Sequence, residues 1–203
     1  MPFAAAYTAL VDHPRLRELW PEYLILQHQI IRATVPLTEA ALAQARRLDD
    51  SLGPPLAAYL EEHVDEELGH DETLLGDLER IGVGRAEVLT RVPSPSVAAL
   101  VGGQYYWILH HHPVAFLGYV GLMEGYPPTS DLIAMLIERT GYAEDAFQTL
   151  IEHAELDPGH RDHLDRTLDD LPLDDSHELA IGLSAIGTAA LAAKTLREVV
   201  EEA

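Results

Sequence analysis

An all-α fold is what this sequence predicts, on three observations. Apolar residues recur at helical spacing almost throughout, and no stretch alternates apolar with polar residues in strand composition. Pro and Gly clusters cut the periodic stretches into helix-sized lengths at Gly53-Pro54-Pro55, Pro93-Ser94-Pro95, His112-Pro113, Tyr126-Pro127-Pro128, Asp157-Pro158 and Leu171-Pro172. Apolar residues make up 47% of a chain of 203. That is enough to fill one hydrophobic core, so the expectation is a compact bundle forming a single domain over residues 1–203.

Helices are expected near 15–33, 38–51, 55–81, 95–111, 114–125, 129–140, 143–156, 159–170 and 174–202. The first contains LILQHQII, an apolar face interrupted by one histidine. The second opens at Thr38, a capping residue type ahead of Ala41 and Leu42. Segment 55–81 is long and amphipathic, which marks a central helix. Segments 95–111 and 114–125 are parted at His112-Pro113, and 129–140 follows Tyr126-Pro127-Pro128. Segments 143–156 and 159–170 are parted at Asp157-Pro158, because a residue before proline is steered out of α geometry; a kink or local unwinding is expected there. The last segment has Asp174 as its N-cap, is rich in alanine, and reads as a packing helix at the edge of the bundle.

Composition narrows the function classes. No uninterrupted apolar run approaches about 18 residues, so no membrane span is expected. The start, MPFAAAYTALVDHPRLREL, lacks the pattern of a secretory signal. The chain has no cysteine, which removes disulfides, thiolate zinc sites and cysteine nucleophiles and points to the cytoplasm. A formal net charge of −21 argues against nucleic acids and anionic membranes as partners. The acid excess serves solubility, and a few of the acids can neutralise bound cations.

One pattern, His-x₃-acid-x₂-His, occurs twice: His63, Glu67 and His70 in HVDEELGH, then His153, Asp157 and His160 in HAELDPGH. At about 100° per residue, the members of each set fall within about 60° on one helix face. Random placement of 11 histidines and 34 acids gives roughly 0.1 such matches per chain, so two are well above chance. Facing stripes of this kind build carboxylate-and-histidine metal centres in helical bundles. Glu124 ends the apolar segment FLGYVGLM; burying it is costly unless it is paired or metal-bound, which makes it the candidate bridging ligand. Glu66 also reaches the face of His70 at i, i+4, but Glu67 lies closer to the His63/His70 stripe. Donors of nitrogen and carboxylate without sulfur suit iron or manganese rather than structural zinc.

Glu67-x-x-His70, Glu124 within GYVGLMEG, and His153-x₃-Asp157-x₂-His160, in that order, resemble the haem-oxygenase-like di-iron oxidases, a family also described as iron-containing redox enzymes. The likeness covers roughly residues 20–172. It implies a seven-helix haem-oxygenase-like bundle with a labile site for two Fe(II) ions that activates O₂. Its substrates are small molecules of the amino acid, fatty acid or guanidine type, altered by N-oxygenation, C–C cleavage or desaturation. It further implies that Glu67, His70 and His153 hold one iron, Glu124 bridges, and Asp157 and His160 hold the other. Two features depart from the family: His63 stands where many relatives carry glutamate, as a ligand or beside the ligands, and Pro158 follows a ligand directly.

The pocket is expected between helices 15–33, 95–111 and 114–125, with His28, Arg32, Tyr106 and His110 as its polar and aromatic lining. The bland readings are a satisfied core histidine for His28, an ordinary ion pair for Arg32 and a core aromatic for Tyr106. His110, His111 and His112 point three ways on a helix, so at most one faces the centre; His13, His163 and His177 read as surface. The expectation is an O₂-dependent non-haem di-iron oxidoreductase of biosynthetic type, with manganese as alternative metal and a homodimer as an open assembly. Its rivals are a non-catalytic metal-binding bundle, a haem oxygenase proper, which acidic charge disfavours, and a TenA-like hydrolase, which the lack of cysteine disfavours.

Overall fold

A computed structural model describes residues 2–201, apart from the side chains of Pro2, Asp157 and Pro158. The described residues form eleven α-helices and two 3-10 turns, with no strand among them. The all-α expectation holds.

Helix α11 (Asp175–Glu201) is the axis of the bundle, not its edge. Helices α1 (Pro2–Val11), α2 (Leu16–Ile31), α7 (Pro95–His110) and α8 (Phe116–Met123) all pack on it. The reason is its small buried residues, among them Ala180, Ser184, Thr188, Ala192 and Ala193, which let neighbouring backbones approach. Gly118 of α8 comes closest: a Cβ there would overlap the Ile181 carbonyl oxygen of α11. Gln104 fixes the register of α7 by donating to Thr188 Oγ1 and accepting from Ser184 Oγ, each at 3.1 Å. An 18-residue window of α11 has a mean hydropathy of 1.6 and matches a membrane span by length and composition. Here that apolar length is the platform on which four helices bury their faces. Helix α1 was not expected, because PFAAAYTALV is apolar on every side and shows no preferred face.

Segment 55–81 is two helices, a correction to the single central helix expected. Helix α4 (Gly53–Glu67) stops, Leu68 is extended, Gly69 takes φ 94°, and α5 (His70–Arg80) begins. That left-handed angle is open to glycine without penalty. The reverse holds for 143–170. A 3-10 turn over Glu144–Phe147 leads into α10 (Gln148–Asp170), one helix through Asp157-Pro158 where two separate helices were expected. A proline removes one rung of the ladder, and the rungs on either side carry the helix across. Asp174 caps α11 as expected, accepting from the amides of Ser176 at 2.9 Å and His177 at 3.0 Å. Thr38 caps nothing: it lies inside α3 (Thr34–Ala45), donating to the Thr34 carbonyl at 2.9 Å.

Asp77 of α5 joins the two halves of the site. Only 1% exposed, its carboxylate accepts from the Gln148 amide at 3.1 Å and the Thr149 amide at 2.8 Å, at the start of α10. It satisfies orphan donors and meets the positive end of the helix dipole. Asp77→Ala is expected to cost about 2 kcal/mol, lowering Tm by roughly 4–8 °C, as read by thermal unfolding. An unchanged Tm would mean that the cap contributes nothing.

Candidate metal centre

Three helices and one helix end bring the expected ligands together. His63 and Glu67 point inward from the last turns of α4, His70 from the first residue of α5, Glu124 from the C-cap of α8, and His160 from α10. All five are at most 9% exposed. His63 Nε2 lies 3.3 Å from Glu124 Oε1, and His160 Nδ1 lies 3.9 Å from Glu124 Oε2. His70 Nδ1 lies 3.3 Å from Glu67 Oε2, and the His70 ring meets that of His153 edge-on at 4.8 Å. One ligand atom each from His63, Glu67 and Glu124 fall within 4.8 Å of one another. Asp157, the remaining expected ligand, lies outside the described residues.

The first stripe converges by a different route from the one expected. Glu67 and His70 are not on one helix; the turn at Leu68-Gly69 folds α5 back so that the two side chains still meet. His153 and His160 do share a helix, two turns apart on α10. Glu67 rather than Glu66 faces the cluster, with 7% of its side chain exposed against 25%. Glu66 instead reaches His63 Nδ1 at 3.5 Å and His163 Nδ1 at 3.9 Å. Glu62, Glu66 and His163 thus form a second, outer group. His163, read as surface from sequence, is half-buried and packs its ring edge-on against Tyr59, which stacks on His63 at 5.6 Å.

The charges are mutually adjusted. Burial pulls the titration of His63 down, but the Glu66 carboxylate 3.5 Å from Nδ1 and the charges of Glu124 and Glu67 outweigh it, and the net direction is up. Burial pushes Glu67 up, yet its bond to His70 and the imidazoles around it hold the carboxyl below its ordinary value. Neither ring nitrogen of His63 makes a hydrogen bond, although carboxylate oxygens stand 3.3 and 3.5 Å away. Buried polar atoms are ordinarily satisfied. One donor atom each from His63, Glu67 and Glu124, gathered within 4.8 Å of one another, fit a cation, and nitrogen-plus-carboxylate donors fit iron or manganese.

This cluster contributes to the wall of a cavity of about 440 Å³. His63, Glu67, Glu124 and His153 are part of that wall, and Phe3, Tyr7, Trp20, Tyr23, Tyr119 and Phe147 line much of the rest. None of the four side chains expected to line the pocket does so, which is a correction. Tyr106 is 62% exposed and His110 is also exposed, because α7 turns Leu100, Gln104 and Ile108 inward against the bundle. His28 is buried on a different face of α2 from Gln27, which does line the cavity. Burial and the nearby Arg32 hold the titration of His28 down. Arg32 is half-buried and off the wall. Helices α2 and α8 supply walls as expected, α7 does not, and α1, α10 and α11 do. Trp20, Tyr23 and Gln27 were missed, though their spacing along α2 is helical and could have marked one face.

Comparison with known proteins agrees with this architecture. A crystal structure from Shewanella denitrificans, described as a domain of unknown function with a heme oxygenase-like fold, superposes with a TM-score of 0.81 at 19% identity, covering 98% of this chain and 88% of that one. A TenA homolog from Pseudomonas syringae pv. tomato gives 0.73 at 13% identity, with 98% and 90% covered. At such identities the likeness is one of fold alone. No curated protein matches in sequence. The family model described as iron-containing redox enzyme matches residues 32–193, a span holding every expected ligand. This all-α chain, with its haem-oxygenase-like fold and buried histidine-carboxylate cluster, belongs to the family of iron-containing redox enzymes.

Proposed function

We propose that the protein is an O₂-dependent non-haem di-iron oxidase or oxygenase acting on a small organic molecule. The observation that carries this reading is the burial of His63, Glu67 and Glu124, from α4 and the end of α8, together on the wall of a largely apolar cavity. Glu67, His70 and His153 would hold one Fe(II), Asp157 and His160 the other, and Glu124 would stand between. His63 would add an imidazole where a carboxylate is usual, leaving the centre one negative charge poorer. Manganese suits the same donors. Bound metal of this kind supplies O₂ activation and oxidation of a nearby C–H or N–H centre.

The chain's own contribution is placement. Glu66, 3.5 Å from His63 Nδ1, orients that ring so that Nε2 faces Glu124. Asp77 ties α5 to the start of α10 and thereby keeps His70 against His153. The aromatic wall excludes water from the reacting end and orients the substrate.

Anaerobic Fe(II) titration tests the centre: about two ions per chain are expected, with His70→Ala and His160→Ala each weakening uptake by at least about tenfold. Uptake indifferent to both variants would remove the site assignment. Oxygen consumption by Fe(II)-loaded protein, stimulated by an added substrate, separates an enzyme from a metal store, which takes up iron and consumes no O₂ in response to substrate.

A further inference from the structure

We propose that two copies of this chain associate through the outer side of α11, antiparallel about a two-fold axis at Ile186. The inference is independent of the di-iron reading.

Helix α11 turns only part of its surface to the bundle. Another side exposes Leu179 at 62%, Leu183 at 48% and Ile186 at 69%, and the exposed Gly187 and Ala190 complete the stripe. Large members recur every three or four residues, so they share one face. From Leu179 to Ala193 the helix has no acidic residue, lysine or arginine, and neither has α7. Helix α7 runs antiparallel beside α11, with Ser96 meeting Glu198 and Gln104 meeting Ser184 and Thr188, and it exposes Tyr106 and Leu109. Together the two helices hold half of the large apolar side chains that are exposed among the described residues. In a chain with a formal net charge of −21, such a concentration marks a contact surface.

The order of residues along the stripe identifies the occupant as a second copy. Asp175 and Arg197, both exposed, stand eleven residues before and eleven after Ile186. Eleven residues make three turns plus about 20°, so all three lie nearly on one line. Neither Asp175 nor Arg197 forms an ion pair among the described residues. An antiparallel copy crossing at Ile186 sets Asp175 against the partner's Arg197, and Arg197 against the partner's Asp175. The apolar residues match in the same sense. Leu179 and Leu183 occupy the first half of the stripe, Gly187 and Ala190 the second, so large meets small. A Cβ on Gly187 would touch nothing, which leaves a hollow there. A face that matches itself after a half-turn is what an isologous dimer requires. An anionic bilayer would answer the apolar residues but would repel Asp175 and so acidic a chain. From Asp175 to Arg197 the stripe is about 33 Å long, and with α7 beside it about 20 Å wide. Such a footprint is on the order of the roughly 800 Å² per partner that a specific dimer buries.

Sedimentation equilibrium of the full metal-free chain tests this over roughly 1–100 µM, at about 50 mM salt so that surface charges are little screened. The mass is expected to rise with concentration from the 22.3 kDa of one chain to that of two. Ile186→Glu brings two carboxylates together at the axis and should weaken association by at least about 30-fold. Asp175→Arg and Arg197→Asp each oppose like charges twice and should weaken it by about tenfold. The double variant Asp175→Arg/Arg197→Asp should restore it, because each pair is rebuilt with its signs exchanged. Val92→Glu adds a charge at an 84% exposed residue outside both helices and should change nothing. All the replaced side chains are exposed, and far-UV circular dichroism reads whether each variant stays helical. The mass of a single chain at every concentration overturns the proposal, as does an Ile186→Glu variant that associates like the original. Failure of the double variant to recover overturns the antiparallel register. Flotation of a monomeric chain with phosphatidylcholine–phosphatidylglycerol vesicles would give the face to a membrane instead. Fe(II) uptake is expected to be the same in all these variants, so the metal centre stands or falls separately.

Discussion

Glu124→Gln is expected to abolish tight Fe(II) binding while leaving the metal-free fold close to its original stability. Glu124 is 5% exposed at the end of α8, and its two oxygens face imidazoles from different helices, His63 on α4 and His160 on α10. The amide keeps the volume and most of the packing but removes the charge that a pair of cations requires. Loss of groups standing behind metal ligands costs about 10–100-fold in affinity, so loss of the carboxylate shared by both ions should exceed 100-fold. In the metal-free chain two terms oppose each other: the imidazoles lose an ionic neighbour, and a buried charge is no longer held out of water. A Tm within about 3 °C of the original is expected from that near-cancellation. Thermal unfolding under argon, with and without Fe(II), reads both effects together. If Fe(II) raises the Tm of this variant as much as that of the unaltered chain, Glu124 is not a ligand.

The class of fold was legible because helical periodicity is local, and the membership of the cluster was legible because histidines and acids at these spacings are rare by chance. The route by which the cluster forms was not. Leu68-Gly69 reads as two tolerable residues inside an amphipathic run, and only the φ of 94° at Gly69 shows that α4 and α5 are separate helices. The inner and outer faces of α7 were confused for a related reason. Tyr106 and Leu109 are exposed while Leu100 and Ile108 are buried, so both sides of that helix are apolar and composition does not rank them. What ranks them is the buried contact of Gln104 with Ser184 and Thr188, 80 and 84 positions away. Helix α11 was misplaced at the edge on the same grounds: alanine and serine look unremarkable in sequence, yet their small size makes them the residues on which other helices close. His163 and Glu66 were passed over because long-range partners, Tyr59 and His63 among them, decide whether a polar residue on a helix is surface or wall.

That close approach yields the largest stability effect expected from adding one methyl group. In Gly118→Ala the new Cβ would overlap the Ile181 carbonyl oxygen and stand 2.8 Å from the Ala185 amide nitrogen, both backbone atoms of α11. Neither can swing aside, so α8 and α11 must separate along their contact. Overpacking of this kind costs about 3 kcal/mol, a fall in Tm of roughly 6–12 °C. Gly121→Ala, one turn further along α8, supplies the contrast. Its Cβ would meet only Leu164 Cδ2 at 3.3 Å, the end of a flexible side chain, while alanine favours the helix by up to about 1 kcal/mol. The two changes nearly match in helix propensity and differ in what they strike, so thermal unfolding of the pair isolates the backbone contact. The consequence reaches the metal centre because Glu124 caps α8, six residues beyond Gly118. A displacement of α8 withdraws that carboxylate from His63 and His160, so Gly118→Ala should also weaken Fe(II) uptake by about tenfold or more, and Gly121→Ala should not. Equal melting of the two variants would show that α8 and α11 can part without cost, and that the position of Glu124 is set by something other than this crossing.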